Sequence, residues 1–225
     1  MSFHYVDFAT WERREYFDYY MYKIKTKYNV NVNIDITELL SVVKQIKLRF
    51  YPVFIYVISK AINNNKEFRM SFDDNGRLGY WDECHPSYTI FHDDDKTFSD
   101  IWTEYHNDFS VFYPRMIVDL KKYKDVKGIK AKINRPENFC PISAVPWLSF
   151  SGYSNDTFSE SKLLFPAITF GKYFKRHQRM LIPFALFVNH AVADGYHTCK
   201  LIDDIQQISR DTSRWMNIEG LSKNN

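Results

Sequence analysis

The run from Leu181 to Val188 narrows the folds open to this chain more than any other stretch. It reads Leu-Ile-Pro-Phe-Ala-Leu-Phe-Val, eight apolar residues in a row. That is strand length, and an unbroken apolar run describes a strand covered on both faces. Just past it stand His190, Asp194 and Gly195, in the pattern His-x-x-x-Asp-Gly. A histidine with the ordinary pKa of about 6.5 is largely a neutral base at pH 7. Asp-Gly reads as a tight turn, with a helical pattern from Tyr196 onward. Plainer roles fit as well. An aspartate before a helix is commonly its N-cap, and glycine beside it a turn residue. Spacing alone leaves both readings open.

The chain has 225 residues and is 45% hydrophobic, enough for one sizeable core in a single domain spanning 1–225. Aromatic residues reach 18%. They suit an aromatic core and also an aromatic-lined pocket for a small molecule. Thirty basic residues stand against 27 acidic ones, net +3, and no Lys/Arg block resembles a phosphate-backbone footprint, so nucleic acid is not expected as a partner. Cys84, Cys140 and Cys199 are scattered and odd in number, without zinc spacing. Neither a disulfide framework nor a metal site is expected. No leader pattern opens the chain and no 18-residue apolar span occurs, so a soluble cytoplasmic protein with no membrane partner is expected. No glycine-rich phosphate loop occurs either, and there are only seven glycines.

Read in order, residues 3–8 form a candidate edge strand and Trp11–Tyr22 has helical spacing. Asn29–Ile36 alternates cleanly at period two, a half-buried strand. Thr37 begins a helix over 38–47. Pro52 suits the first turn of a second helix, 53–63, apolar on most sides and therefore buried. Phe68–Phe72 and Leu78–Trp81 flank the turn Asp-Asp-Asn-Gly, and Tyr88–Phe91 is another strand. Phe98, Ile101, Trp102, Tyr105, Phe109 and Phe112 predict one long helix to Lys122, with Pro114 as its candidate break. Residues 125–138 read as loop, Ile142–Phe150 as extended, Ser151–Glu160 as polar loop. Leu163–Phe170 and Met180–Asn189 read as strands joined by a basic turn at Lys175–Arg179, and the last helix covers 196–210. Strands, helices and long connections together indicate an α+β fold with a mixed sheet.

The stretch Asn189-His190-Ala191-Val192-Ala193-Asp194-Gly195-Tyr196-His197 resembles the active-site signature of the chloramphenicol acetyltransferases. Further segments resemble that family in family order: Trp11-x-Arg13-Arg14-Glu15-Tyr16-Phe17, Ile34-Asp35-Ile36-Thr37, Phe50-Tyr51-Pro52, Ser87–His92, Pro136-Glu137-Asn138 and Ile142–Trp147. They cover nearly the whole chain. The resemblance implies a two-layer α/β sandwich related to dihydrolipoyl acyltransferase cores, and a homotrimer with active sites between subunits. It implies acetyl-coenzyme A as co-substrate and chloramphenicol as acceptor. His190 would be the general base and Ser143 the hydroxyl that meets the tetrahedral oxyanion. Arg13 and Asp194 would form a structural ion pair, and Thr169 would hold a water. Trp147, Lys172 and Tyr173 would contact coenzyme A, and Tyr20, Phe91, Phe98 and Tyr153 the drug. Direct transfer of this kind needs a base, an oxyanion donor and something to orient the base, but no covalent enzyme intermediate.

Three departures bear on this expectation. Asn189 replaces the first histidine of the usual pair, Ala193 the usual cysteine, and Lys130 a phenylalanine of the drug pocket. They touch acceptor identity and turnover more than fold. The alternatives are an acyltransferase of the same fold with another hydroxyl acceptor, and a degenerate homologue that binds a ligand without turning it over.

Overall fold

A computed structural model describes residues 2–156 and 162–216. The chain begins with β1 (Phe3–Tyr5) and α1 (Arg14–Asp18), which runs into a π-helical turn (Tyr19–Lys23). Then come β2 (Lys27–Asp35), α2 (Thr37–Gln45), α3 (Phe50–Asn63), β3 (Met70–Phe72), β4 (Leu78–Trp81), β5 (His85–Phe91), β6 (Phe98–Trp102) and α4 (Phe109–Lys122). The last part holds β7 (Phe139–Val145), β8 (Ala167–Gly171), β9 (Phe174–Arg176), β10 (Arg179–Asn189) and α5 (Gly195–Arg210). The main sheet runs β2-β10-β8-β7-β5-β6, with β9 also on β10. β7 is parallel to β5 and to β8, and the remaining pairs are antiparallel, so the sheet is mixed and the fold α+β. A small sheet, β1-β4-β3, stands apart.

The apolar run is inner strand β10. Ile182, Phe184, Leu186 and Val188 point into the main hydrophobic core, each at most 1% exposed. Burying a side chain of that size contributes about 1.5–3 kcal/mol. Pro183, Ala185, Phe187 and Asn189 turn to the opposite face and are buried too. Pro183 lacks a donor for a ladder. The registers set Phe184 against Phe170 of β8 and Leu181 against Phe174 of β9, so Ile182 and Pro183 have no pairing partner on that side. The chain turns away from β10 there, after Phe170, and the Lys172 N–H donates to Leu148 O.

The helices lie on the core face. Val53 to Ile58 of α3 are all 0% exposed, which accounts for a helix that is apolar all round. On β2, Ile34 joins the core with Val32 packed against it, while Asn29, Asn31 and Asn33 look the other way. Gln206 of α5 ties helix to strand by receiving the Asp35 N–H and donating to Asp35 O.

The long helix expected from Phe98 is not formed. Phe98–Trp102 is a strand paired antiparallel with Ser87–Phe91, and the helix starts only at Phe109, with Asp108 accepting the Ser110 N–H as N-cap. Ser99, Ile101 and Thr103 are the buried positions, a period of two that two small polar residues disguised. The hydroxyls are satisfied: Ser99 donates to Val126 O, and Thr103 to Asp119. Pro114 does not break α4. Other boundaries also move. The helix expected over Trp11–Tyr22 is α1 plus the π-helical turn, the strand expected from Leu163 begins at Ala167, and part of the basic turn is β9. Of the polar loop Ser151–Glu160, residues 157–160 lie outside the described residues.

Candidate active site in two halves

The sheet positions two groups of side chains. The first gathers where β10 ends. His190 follows Asn189, and its N–H donates to Thr26 O, so the residue is held to the β2 side. Asn189 stops the strand: its Oδ1 accepts the Ala191 N–H and its Nδ2 donates to Leu163 O. The chain then folds back over Ala191, Val192 and Ala193, all 0% exposed. His190 Nδ1 lies 3.2 Å from Ala193 O. A carbonyl only accepts, so that bond puts the proton on Nδ1 and leaves the Nε2 lone pair free. Tyr20, on the π-helical turn, stacks on the imidazole with centroids 3.7 Å apart, and Tyr28 meets it edge-on at 5.1 Å.

Asp194 closes this turn and opens α5. Its Oδ2 accepts from Arg13 Nη1 at 2.6 Å, and its Oδ1 accepts from the Tyr196 N–H at 3.0 Å. His197 Nδ1 is 2.8 Å from the same Oδ1. Burial alone would raise this carboxyl, but the bonds from Arg13 and His197 outweigh it and hold it at about 2. Asp194 is therefore both an ion-pair partner and an N-cap. Beyond Tyr20 lies a recess of about 590 Å³ flanked by Tyr16 and Tyr19, which are 57% and 45% exposed.

The second group lies on β7 and β8. Ser143 and Thr169 are direct partners across the parallel ladder. Their neighbours Ile142 and Ile168 enter the core, so both hydroxyls sit on the opposite face of the sheet. Neither hydroxyl has a hydrogen-bond partner among the described residues. On the helix side of the same strands is a cavity of about 350 Å³, where Ala144 and Phe170 meet Phe91, Trp147, Lys172 and Tyr173. Trp147 packs against Phe91 at 4.6 Å, and Tyr173 against Phe50 at 5.6 Å. Arg49 and Lys172 stand at this cavity without an ion-pair partner among the described residues.

The predicted residues thus separate. His190, Tyr20, Arg13 and Asp194 come together, as do Phe91, Trp147, Lys172 and Tyr173, with Ser143 and Thr169 through the wall of the sheet. Phe91, assigned to the acceptor by resemblance, shares the cavity of the three residues assigned to coenzyme A. Phe98 pairs with Phe91 at the far end of β5–β6 and is 53% exposed. Tyr153 lies on the loop before residue 157, packed on Phe150 at 5.5 Å. Lys130 bridges to Asp100 at the edge of β6. Tyr28 and Arg49 were not singled out from sequence, because their types are common in this chain and no spacing marks them, and Phe50 stood out only within the resembling segment Phe50-Tyr51-Pro52.

The two groups are far apart within one chain. Thr169 is level with Ala185 on β10, and His190 is five residues further along. Ser143 is one strand beyond Thr169. At about 3.3 Å per residue and 4.8 Å per strand, the His190 and Ser143 Cα atoms are roughly 19 Å apart.

A chloramphenicol acetyltransferase family model matches residues 1–206. A chloramphenicol acetyltransferase of Clostridium butyricum is 41% identical over 216 residues, covering 96% of this chain and 99% of its own. One from Staphylococcus aureus is 40% identical over 210 residues, covering 93% and 100%. Among solved structures, a chloramphenicol acetyltransferase aligns with a TM-score of 0.81 at 21% identity, over 92% of this chain and 99% of the other. The Azotobacter vinelandii dihydrolipoamide acetyltransferase aligns at 0.67 and 13% identity, over 85% and 84%.

Proposed function

The chain belongs to the chloramphenicol acetyltransferase family, and on that premise we propose that it moves the acetyl group of acetyl-coenzyme A directly to a hydroxyl of chloramphenicol. His190 Nε2 takes the hydroxyl proton, and the oxygen attacks the thioester carbonyl. The Ser143 hydroxyl donates to the resulting oxyanion, with Thr169 beside it holding a water. The C–S bond then breaks and the thiolate recovers the proton from His190. Tyr20 and the Ala193 carbonyl keep the imidazole oriented through these steps, and the Arg13–Asp194 pair keeps the turn closed.

The observation that carries this reading is the His190–Ala193 bond, which leaves Nε2 as an accepting nitrogen on a rigid turn. The cavity suits the co-substrate: an apolar floor for a pantetheine arm, with Arg49 and Lys172 as unpaired cations for its phosphates. Tyr20, Phe91, Phe98 and Tyr153 are the proposed acceptor contacts, and Trp147, Lys172 and Tyr173 those for coenzyme A.

A base and an oxyanion donor roughly 19 Å apart cannot serve one reaction, which supports an assembly of copies. One half then meets the other half of the next copy. A head-to-tail ring of copies makes such a contact once per subunit. The homotrimer implied by the resemblance satisfies this, with 1–225 as one catalytic domain in the cytoplasm. Among the described residues no helix is long and apolar enough to cross a membrane.

Thiol release from acetyl-coenzyme A, with and without chloramphenicol and beside His190→Ala, tests the proposal. Drug-dependent release that drops at least 1000-fold in the variant is expected, near the upper range for one general base. No release from the folded wild type would remove chloramphenicol as the acceptor. A second reading, the same chemistry on another hydroxyl, draws on Lys130 standing where the drug pocket usually has phenylalanine, and release with other alcohols would select it.

A further inference from the structure

The asparagines of β2 do something the alternation of that strand does not require. Asn29 and Asn31 face away from the core, toward the loop that carries Tyr153. Asn29 Nδ2 donates to Asn155 O at 3.2 Å, and Asn29 Oδ1 accepts the Asn155 N–H at 3.3 Å. One carboxamide thus satisfies both backbone groups of one residue, as a neighbouring strand would. Two residues along, Asn31 Oδ1 accepts the Tyr153 N–H at 2.9 Å. A backbone N–H can only donate and a carbonyl only accept, so the orientation of each amide is set by its partner.

The placement is specific. Asn31 is level with Ala185, Ala185 with Thr169, and Thr169 with Ser143. These four residues form one row across β2, β10, β8 and β7, on the face that bears the two free hydroxyls. Three strand spacings put Asn31 roughly 14 Å from Ser143, about the reach of a drug-sized molecule. The loop carrying Tyr153 is therefore indexed, by side-chain amides on an edge strand, to the row that carries Ser143.

We infer that Asn29 and Asn31 are positioning residues that clamp residues 153–155 and thereby set how the acceptor is bound. The inference rests on the acceptor reading above, in which Tyr153 touches the drug. The two asparagines differ in what they need. Asn31 uses only its carbonyl oxygen, which an aspartate also supplies. Asn29 uses both ends of its amide, and an aspartate would set a charge against the Asn155 carbonyl.

The experiment compares Asn29→Leu, Asn29→Asp, Asn31→Leu and Asn31→Asp. It measures KM for chloramphenicol, KM for acetyl-coenzyme A, kcat, and hydrogen exchange of the Tyr153 and Asn155 amides. Asn31→Leu should raise the chloramphenicol KM about 5-fold, the worth of one neutral hydrogen bond. Both Asn29 variants should raise it about 5- to 10-fold, while Asn31→Asp stays within about 2-fold of wild type. The other two constants should hold within about 2-fold, and exchange should quicken in both leucine variants. If Asn31→Asp is as impaired as Asn31→Leu, or if kcat falls while the chloramphenicol KM stays, the inference is overturned. A wild type that does not acetylate chloramphenicol breaks the acceptor reading instead. The clamp is then judged by exchange alone, and unchanged protection in the leucine variants rejects it.

Discussion

The turn after β10 and the cavity beside β8 are built on opposite plans. At the turn nearly every polar group is already spoken for: Asn189, His190 and Asp194 each make two or more hydrogen bonds, and three buried small residues fill the space between them. Around β7 and β8 the side-chain polar groups are idle: among the described residues, Arg49 and Lys172 at the cavity have no anion, the Ser143 and Thr169 hydroxyls on the other face of the sheet have no partner, and Trp147 is 62% exposed. On the proposed function, the first half orients a reactive group before any substrate arrives and the second is completed by what binds to it. The first plan costs stability when altered. The second costs catalysis or affinity and leaves the fold alone.

The sharpest way to break this contrast is Ser143→Ala. Its hydroxyl has no partner among the described residues, so thermal stability should stay within experimental scatter while kcat falls about 100- to 1000-fold, the usual loss of one oxyanion donor. A large loss of stability would erase the distinction between the halves.

Asp194→Ala tests the other side. A fully buried pair costs about 3–5 kcal/mol to break. This one is partly exposed, 17% at Arg13 and 36% at Asp194, so a loss of about 2–3 kcal/mol is expected in denaturant unfolding, part of it the N-cap. The pH dependence has a definite sign. The folded carboxyl, at about 2, lies below its ordinary value of 3.8. Its contribution is present above about pH 4 and lost as pH falls through 2, so the wild-type and Asp194→Ala stability curves should converge at the acid end. Curves that stay parallel there would show that the ionised pair is not what holds the turn.

Lys172→Gln should have the smallest effect. One exposed cation facing a phosphate is worth about 1 kcal/mol, so KM for acetyl-coenzyme A should rise about 5-fold with kcat and stability unchanged. A rise in the chloramphenicol KM instead would move this cavity to the acceptor, where Phe91 already raises the question.

The apolar strand, the alternating strand and the all-round apolar helix α3 could be read directly, because burial selects residue type and the backbone imposes periods of two or 3.6. Phe98–Trp102 misled because its inward row, Ser99, Ile101 and the following Thr103, holds a serine and a threonine, whose hydroxyls are satisfied by Val126 and Asp119 from distant segments. Periodicity registers apolar character, not hydrogen bonds to partners elsewhere in the chain. Among site residues, the motif around His190 and its kinship were legible. Which oxygen holds Nδ1, and the clamp from Asn29 and Asn31 to Tyr153, were not.

By itself, then, the order of residues determined which segments are buried, where strand β10 must stop, and which residue types are on hand for acyl transfer. It did so because burial, turn chemistry and capping are local consequences of side-chain type. Only the tertiary structure decided that His190 stands roughly 19 Å from Ser143, that Asn31, Thr169 and Ser143 share one row, and that Asp194 is both cap and ion-pair partner. Those are matters of register between strands and of contacts across the fold, such as the 181-residue separation of Arg13 and Asp194. They are set by how whole elements pack, and no local pattern encodes that packing.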